Sequence, residues 1–204
     1  MKLLALDLSK SCTGFAIWHP GWERARLGHR SLGSEYSTNG DVFNALHKLL
    51  EELRVTIGFE QLFWERKLSA HKIVSGKTTQ QTLDLLGGLD AYAEGYRAAY
   101  RMRGRPVAVN DWRQPFIGKD LDGTIKAATR RHNRIAKAGG GRTITSTDKL
   151  KAATMERARQ LGFSPRNDGE ADALGLLDYQ LDLADIVPPW RQDEVLRAPL
   201  AVVA

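Results

Sequence analysis

Four acidic side chains stand where a folded chain could gather them. Asp7 closes the apolar run Leu3-Leu4-Ala5-Leu6, and Glu60 closes Val55-Thr56-Ile57-Gly58-Phe59. Asp168 and Asp172 lie in Asn167-Asp168-Gly169-Glu170-Ala171-Asp172, where a helix is expected to start. A carboxylate at the end of a buried strand is expensive to desolvate unless a cation or several donors meet it. Carboxylate oxygens are the ligands Mg²⁺ prefers, and two such ions about 4 Å apart can activate a water and neutralise a phosphodiester under attack. Each acid also has a plainer use. Asp7 could cap a turn, Glu60 could be a solvated strand-end acid, Asp172 a first-turn helix acid and Asp168 an N-cap. Glu65, in Trp64-Glu65-Arg66, rivals Glu60, with an ion pair to Arg66 as its plainer role. A single cysteine, Cys12, and five scattered histidines, His71 and His132 read as surface residues among them, offer no zinc set.

The charge distribution points to a polyanionic partner. The chain of 204 residues carries 30 Lys and Arg against 24 Asp and Glu, a net +6, with a pI near 9.5. From Arg97 to Arg157 there are 15 Lys and Arg against 5 Asp and Glu, a net +10, which leaves −4 for the rest. A basic middle beside acidic flanks suits a phosphate-binding surface next to a cation site. Its plainer reading is a solvated charged face. One cysteine excludes an intrachain disulfide and fits a reducing cytoplasm. Neither a secretory signal nor an apolar stretch of about 18 residues is visible, so no membrane association is expected.

The acids need strands and helices to hold them. Residues 2–8 read as a buried strand, the small-residue turn Ser9–Gly14 follows, and Phe15–Trp18 returns as a hairpin partner. A third strand is expected near Ala25–Leu32. Val42, Leu46, Leu49, Leu50 and Leu53 recur at helical spacing, with Asp41 as a cap, and Val55–Phe59 reads as the next strand. Gln80–Met102 reads as a long helix whose Gly87-Gly88 pair permits close approach of a neighbour, followed by a strand over Pro106–Val109. Thr124–Ala138 reads as a basic helix with a thin apolar stripe, stopped by Gly139-Gly140-Gly141. Ser146 or Thr147 opens another helix to Leu161, and Gly169–Leu183 is the last. This order predicts an α/β fold, a mixed sheet of three antiparallel then parallel strands flanked by helices. One domain over 1–184 is expected, with a basic insertion at about 119–146 and an unassigned tail over 185–204.

The element order and strand-end residues resemble the ribonuclease H-like fold, and within it the RuvC family of Holliday-junction resolvases, phage-type members included. Five segments carry the resemblance: Leu4-Ala5-Leu6-Asp7-Leu8-Ser9 with Thr13-Gly14-Phe15-Ala16, Ile57-Gly58-Phe59-Glu60-Gln61-Leu62-Phe63, Phe116-Ile117-Gly118 preceded by Arg113, Thr147-Asp148-Lys149, and Glu170-Ala171-Asp172-Ala173-Leu174. The resemblance implies a magnesium-dependent, structure-selective DNA endonuclease that acts as a homodimer on four-way junctions in the cytoplasm of a bacterium or phage-infected cell. It implies that Asp7, Glu60 and Asp172 hold the metals, that Phe63 stacks on a base, and that Arg113 and Lys149 lie near the cleaved strand. Phe63 also reads as an ordinary core aromatic. The chain departs from the family at Gly169, where an acid or His often stands, and Asp168 is the expected substitute because i and i+4 share a helix face. Arg130, Arg131 and Arg134 of the basic insertion are expected to meet phosphate. Two other functions are open. One is a non-catalytic junction- or DNA-binding module. The other is an actin-like nucleotide-binding protein, since such proteins also open with strand-Asp-turn-Thr-Gly.

Overall fold

The computed structural model describes residues 1–66 and 79–195. His71 and residues 196–204 lie outside the described residues.

Strands β1 (Leu3–Asp7), β2 (Thr13–Trp18) and β3 (Arg26–Arg30) form an antiparallel meander, and β4 (Gln61–Arg66) and β5 (Arg103–Ala108) extend it in parallel. The sheet order is β3-β2-β1-β4-β5, the mixed sheet expected from the sequence. Side chains alternate across it. Leu4, Leu6, Ile17, Leu62 and Trp64 point to one face, where α1 (Asn39–Thr56) and α2 (Gln80–Ala99) cover them. Leu3, Ala5, Ala16, Trp18, Phe63 and Val107 point to the other face. There they meet α3 (Val109–Ile117), α5 (Thr147–Gln160), α6 (Asp168–Leu183) and α7 (Pro189–Val195). Helix α4 (Lys119–Ala138) lies outside both layers, with only Asp122 and Thr129 buried.

Helix α1 buries Val42, Leu46, Leu49, Leu50 and Leu53, the predicted stripe. Its cap is Thr38 rather than Asp41. The two form a reciprocal box, Asp41 N–H donating to Thr38 Oγ1 at 3.2 Å and Thr38 N–H donating to Asp41 Oδ2 at 2.9 Å. The expected strand over Val55–Phe59 is corrected. Helix α1 continues through Thr56 and ends at Gly58, whose φ of 78° makes the left-handed turn and whose N–H donates to the Leu53 carbonyl at 3.0 Å. The strand is the run after it, beginning at Gln61. The structure also adds two helices. Helix α3 stands where the sequence suggested the end of a strand. Its nine residues give only about two turns of periodicity, and Pro115 masks them. Helix α7 lies in the segment read as a tail. Its Trp190 packs edge-on against Trp18 and Phe163, with ring centroids 6.1 and 5.5 Å away.

Candidate active site

Parallel pairing of β1 with β4 decides which acids can meet. The register runs Leu3 with Gln61 to Leu6 with Trp64, so Asp7 and Glu65 come next on adjacent strands. By the two-residue period, Asp7 shares a face with Leu3 and Ala5, and Glu65 with Phe63, the face that α6 covers. Glu60 therefore lies elsewhere. Its N–H donates to the Lys2 carbonyl, at the start of β1 and about 16 Å of strand away from Asp7. Its side chain is 64% exposed, and its carboxylate stands 3.7 Å from the chain's amino terminus. The expectation that Glu60 joins Asp7 is corrected: the five-residue offset from strand start to strand end exchanges it for Glu65.

A backbone contact brings α6 to this edge. A Cβ on Gly14 would stand 2.1 Å from the Gly169 carbonyl, and one on Gly169 would stand 3.3 Å from the Cys12 oxygen. Glycine at both positions lets the start of β2 touch the first turn of α6. That accounts for the missing side chain at 169, where an acid was sought. Asn167 caps α6 by accepting the Glu170 N–H at 2.9 Å, so Asp168 is not the cap. Asp168 and Asp172 sit one turn apart beside the end of β1.

Helix α3 supplies the cation. A Cβ on Gly175 would approach the Trp112 ring to 2.6 Å, so α3 seats closely on α6. Arg113 consequently donates from Nη2 to Asp172 Oδ2 at 3.0 Å and lies 3.9 Å from Glu65 Oε2. Trp112 Nε1 donates to Glu65 Oε2 at 3.2 Å. On the other side, Lys151 of α5 pairs with Asp168. That contact holds the Asp168 carboxyl below, and the Lys151 ammonium above, its ordinary pKa.

Asp172 is the anomalous group. Its Oδ1 is buried and has no hydrogen-bond partner. Burial, which Arg113 only partly offsets, pushes its pKa up to about 8, with the charges of Asp7, Glu65 and Asp168 adding to the rise. The donor set is all carboxylate, and an orphaned carboxylate oxygen among three other acids is what a hard divalent cation would satisfy. As they stand, no three His, Cys, Asp or Glu side chains among the described residues are arranged to chelate one ion. Arg113 and Lys151 are paired with two of the acids instead. The chemistry of the set fits a divalent cation, in a state neutralised by the protein's own cations.

The remaining predicted residues are dispersed. Phe63 is 8% exposed and belongs to the core between sheet and α6, so the base-stacking expectation is corrected in favour of packing. Lys149 is exposed on α5, while Lys151, two residues on, reaches the acids. Arg130, Arg131 and Arg134 are exposed on α4. The Gly139-Gly140-Gly141 run closes α4 and follows no strand, so it offers no phosphate loop of the actin-like kind. Sequence reasoning missed Lys151, and it placed Glu65 second. The signal for Glu65 was present in the buried run Leu62-Phe63-Trp64, which ends at it. Nothing in the sequence marked Lys151.

The sheet order, the helices on both faces and the acids at one edge define a ribonuclease H-like fold. Among solved structures it matches Thermus thermophilus RuvC in complex with a Holliday junction substrate, with a TM-score of 0.57 and 12% identity over 91% of this chain and 95% of that one. A second Thermus thermophilus RuvC structure matches with a TM-score of 0.55 and 13% identity, over 91% and 96% of the two chains. No family model matches the sequence, and no curated protein matches it. The chain has the RuvC fold, as the order of its motifs led us to expect.

Proposed function

We propose that this protein is a divalent-metal-dependent endonuclease that resolves four-way DNA junctions. The observation that carries the proposal is the buried, unpartnered Asp172 Oδ1 beside Asp7, Glu65 and Asp168, on a fold whose solved relative was captured on a Holliday junction. Asp7, Glu65 and Asp172, with Asp168, would hold Mg²⁺. When bound, the metal would supply an activated water and neutralise the scissile phosphate. Arg113 and Lys151 limit carboxylate repulsion before the metal arrives and keep Asp172 and Asp168 oriented. Lys149 and the arginines of α4 would contact phosphate outside the acids. A homodimer, one subunit per cleaved strand, is part of the proposal. On α2, Gly88 is packed within the chain, since a Cβ there would stand 2.4 Å from the Phe43 ring, whereas Gly87 faces open space and leaves that face free for a second subunit.

The test is a labelled four-way junction and a matched linear duplex, incubated with wild type, Asp7→Asn and Asp172→Asn in Mg²⁺ and in Mn²⁺. Paired nicks in the junction alone, lost in both variants while binding persists, are expected. Tight binding without cutting in either metal would instead identify a junction-binding module. That second reading is favoured by the pairing of two acids with Arg113 and Lys151.

A further inference from the structure

After Asp122 the chain has no Asp or Glu until Asp148, and between them stand Lys126, Arg130, Arg131, Arg134, Lys137 and Arg142. These six charges equal the +6 of the whole chain, so the rest of the molecule is neutral in sum. At about 100° per residue, Lys119, Lys126, Arg130, Arg134 and Lys137 fall within an arc of about 80° along α4, and Arg131 lies about 60° beyond it. The helix turns Asp122 and Thr129 toward the body and leaves Arg130, Arg131, Arg134 and Lys137 exposed. Among the described residues none of these four has an acidic partner. Lys126 pairs with Asp122 at 2.7 Å. Like charges three and four residues apart repel along a helix, and this one has few apolar contacts to offset them. An opposing polyanion would remove the repulsion.

The stripe passes beside the helix that carries Arg113. Lys126 Nζ donates to Asn110 Oδ1 at 3.3 Å. Asn110 lies one turn before Arg113, whose guanidinium meets Asp172 at 3.0 Å. The far end is pinned as well. Asn133 donates from Nδ2 to the Ile144 carbonyl at 2.8 Å and accepts the Ile144 N–H at 2.8 Å, which fixes the returning loop and its Arg142 against α4. Twenty residues of helix extend about 30 Å, the length of about nine base pairs. The stripe has no aromatic side chain to stack on a base, so its contacts would be to phosphate.

We infer that α4 is a rail for the backbone of one DNA duplex arm running away from the catalytic edge, read without regard to sequence. The inference rests on the junction-nuclease proposal for its partner but is separable from it by experiment.

The full chain and the triple variant Arg130→Ala, Arg134→Ala, Lys137→Ala are titrated, in EDTA to prevent cleavage, against a fluorescent four-way junction, a linear duplex, a duplex RNA and vesicles of phosphatidylglycerol. KCl is varied between 50 and 200 mM, in a range chosen to resolve a slope of about 0.9 per phosphate contact. Alanine preserves helix propensity, and circular dichroism checks the fold. The expected result is a slope of log Kd against log salt that falls by about two to three on both DNAs, with affinity down about tenfold or more. The Arg130→Lys, Arg134→Lys variant is expected to keep the slope. An unchanged slope in the triple variant overturns the rail. A loss confined to vesicles of phosphatidylglycerol or to duplex RNA also overturns it and assigns the stripe to that polyanion. Wild type that binds DNA through the stripe but never cuts supports the rail and sinks the nuclease. Wild type that cuts junctions while the triple variant keeps its slope sinks only the rail.

Discussion

At the residue scale, the site is defined by one exchange and one anomaly. Glu60 stands just before β4 and Glu65 near its far end, five positions apart, and only Glu65 is level with Asp7. Junction cleavage by Glu65→Gln should fall by at least about a hundredfold, as loss of a metal-positioning carboxylate implies, while Glu60→Gln should stay within about twofold of wild type. Equal losses in the two variants would return the choice to Glu60. The anomaly is Asp172, whose pKa is raised to about 8 chiefly by burial. A carboxyl in an unfolded chain titrates near 3.9, so across the window from about 4 to 8 the folded state binds more protons than the unfolded state. The contribution of Asp172 to the stability of the metal-free protein therefore falls as pH rises through that window. Asp172→Asn removes the cause, and the melting-temperature difference between variant and wild type should move in the variant's favour by several degrees from pH 4 to pH 8. Mg²⁺ added at pH 8 should raise the melting temperature of wild type more than that of the variant. A difference that is flat in pH would mean that Asp172 is ionised and satisfied in the folded protein.

At the element scale, glycines set how closely the elements meet. Gly14 faces the Gly169 carbonyl at the β2–α6 contact, and Gly175 faces Trp112 at the α3–α6 contact. Gly14→Ala should destabilise the protein by about 2–4 kcal/mol, since the added methyl meets backbone and not a movable side chain. Urea unfolding measures this, and a change below about 0.5 kcal/mol would show that the two elements part at no cost. The periodic elements were legible in the sequence because burial imposes a period. Val42 to Leu53 announce α1, and Leu3 to Leu6 announce β1. The boundary between α1 and β4 was not legible. Val55-Thr56-Ile57 is β-branched, and only the positive φ at Gly58 and pairing with Lys2 assign those residues to a helix end. That one boundary accounts for the choice of Glu60. Lys151 was illegible for a different reason: its partner Asp168 lies on another helix, and packing of α5 on α6 leaves no periodic trace of which lysine faces across.

At the scale of the whole molecule, the sheet has two ends with different duties. The carboxyl ends of β1 and β4 carry Asp7 and Glu65, and the opposite end is closed by α7. Trp18 pairs with Leu3 at that opposite end, and Trp190 packs on it while donating from Nε1 to Asp178 Oδ1 at 3.1 Å. Arg191 pairs with the other oxygen of Asp178, a carboxylate that burial would otherwise disfavour. The last described helix thus locks the end of the core away from the acids. Trp190→Ala should cost about 3–5 kcal/mol, a drop in melting temperature on the order of 10 °C for a chain of this length. Below the transition its cleavage rate at saturating junction should match wild type, because no described contact of Trp190 reaches the acids. A large loss of rate with little loss of stability would mean that the two ends of the sheet are coupled through α6, whose Asp172 and Asp178 lie less than two turns apart.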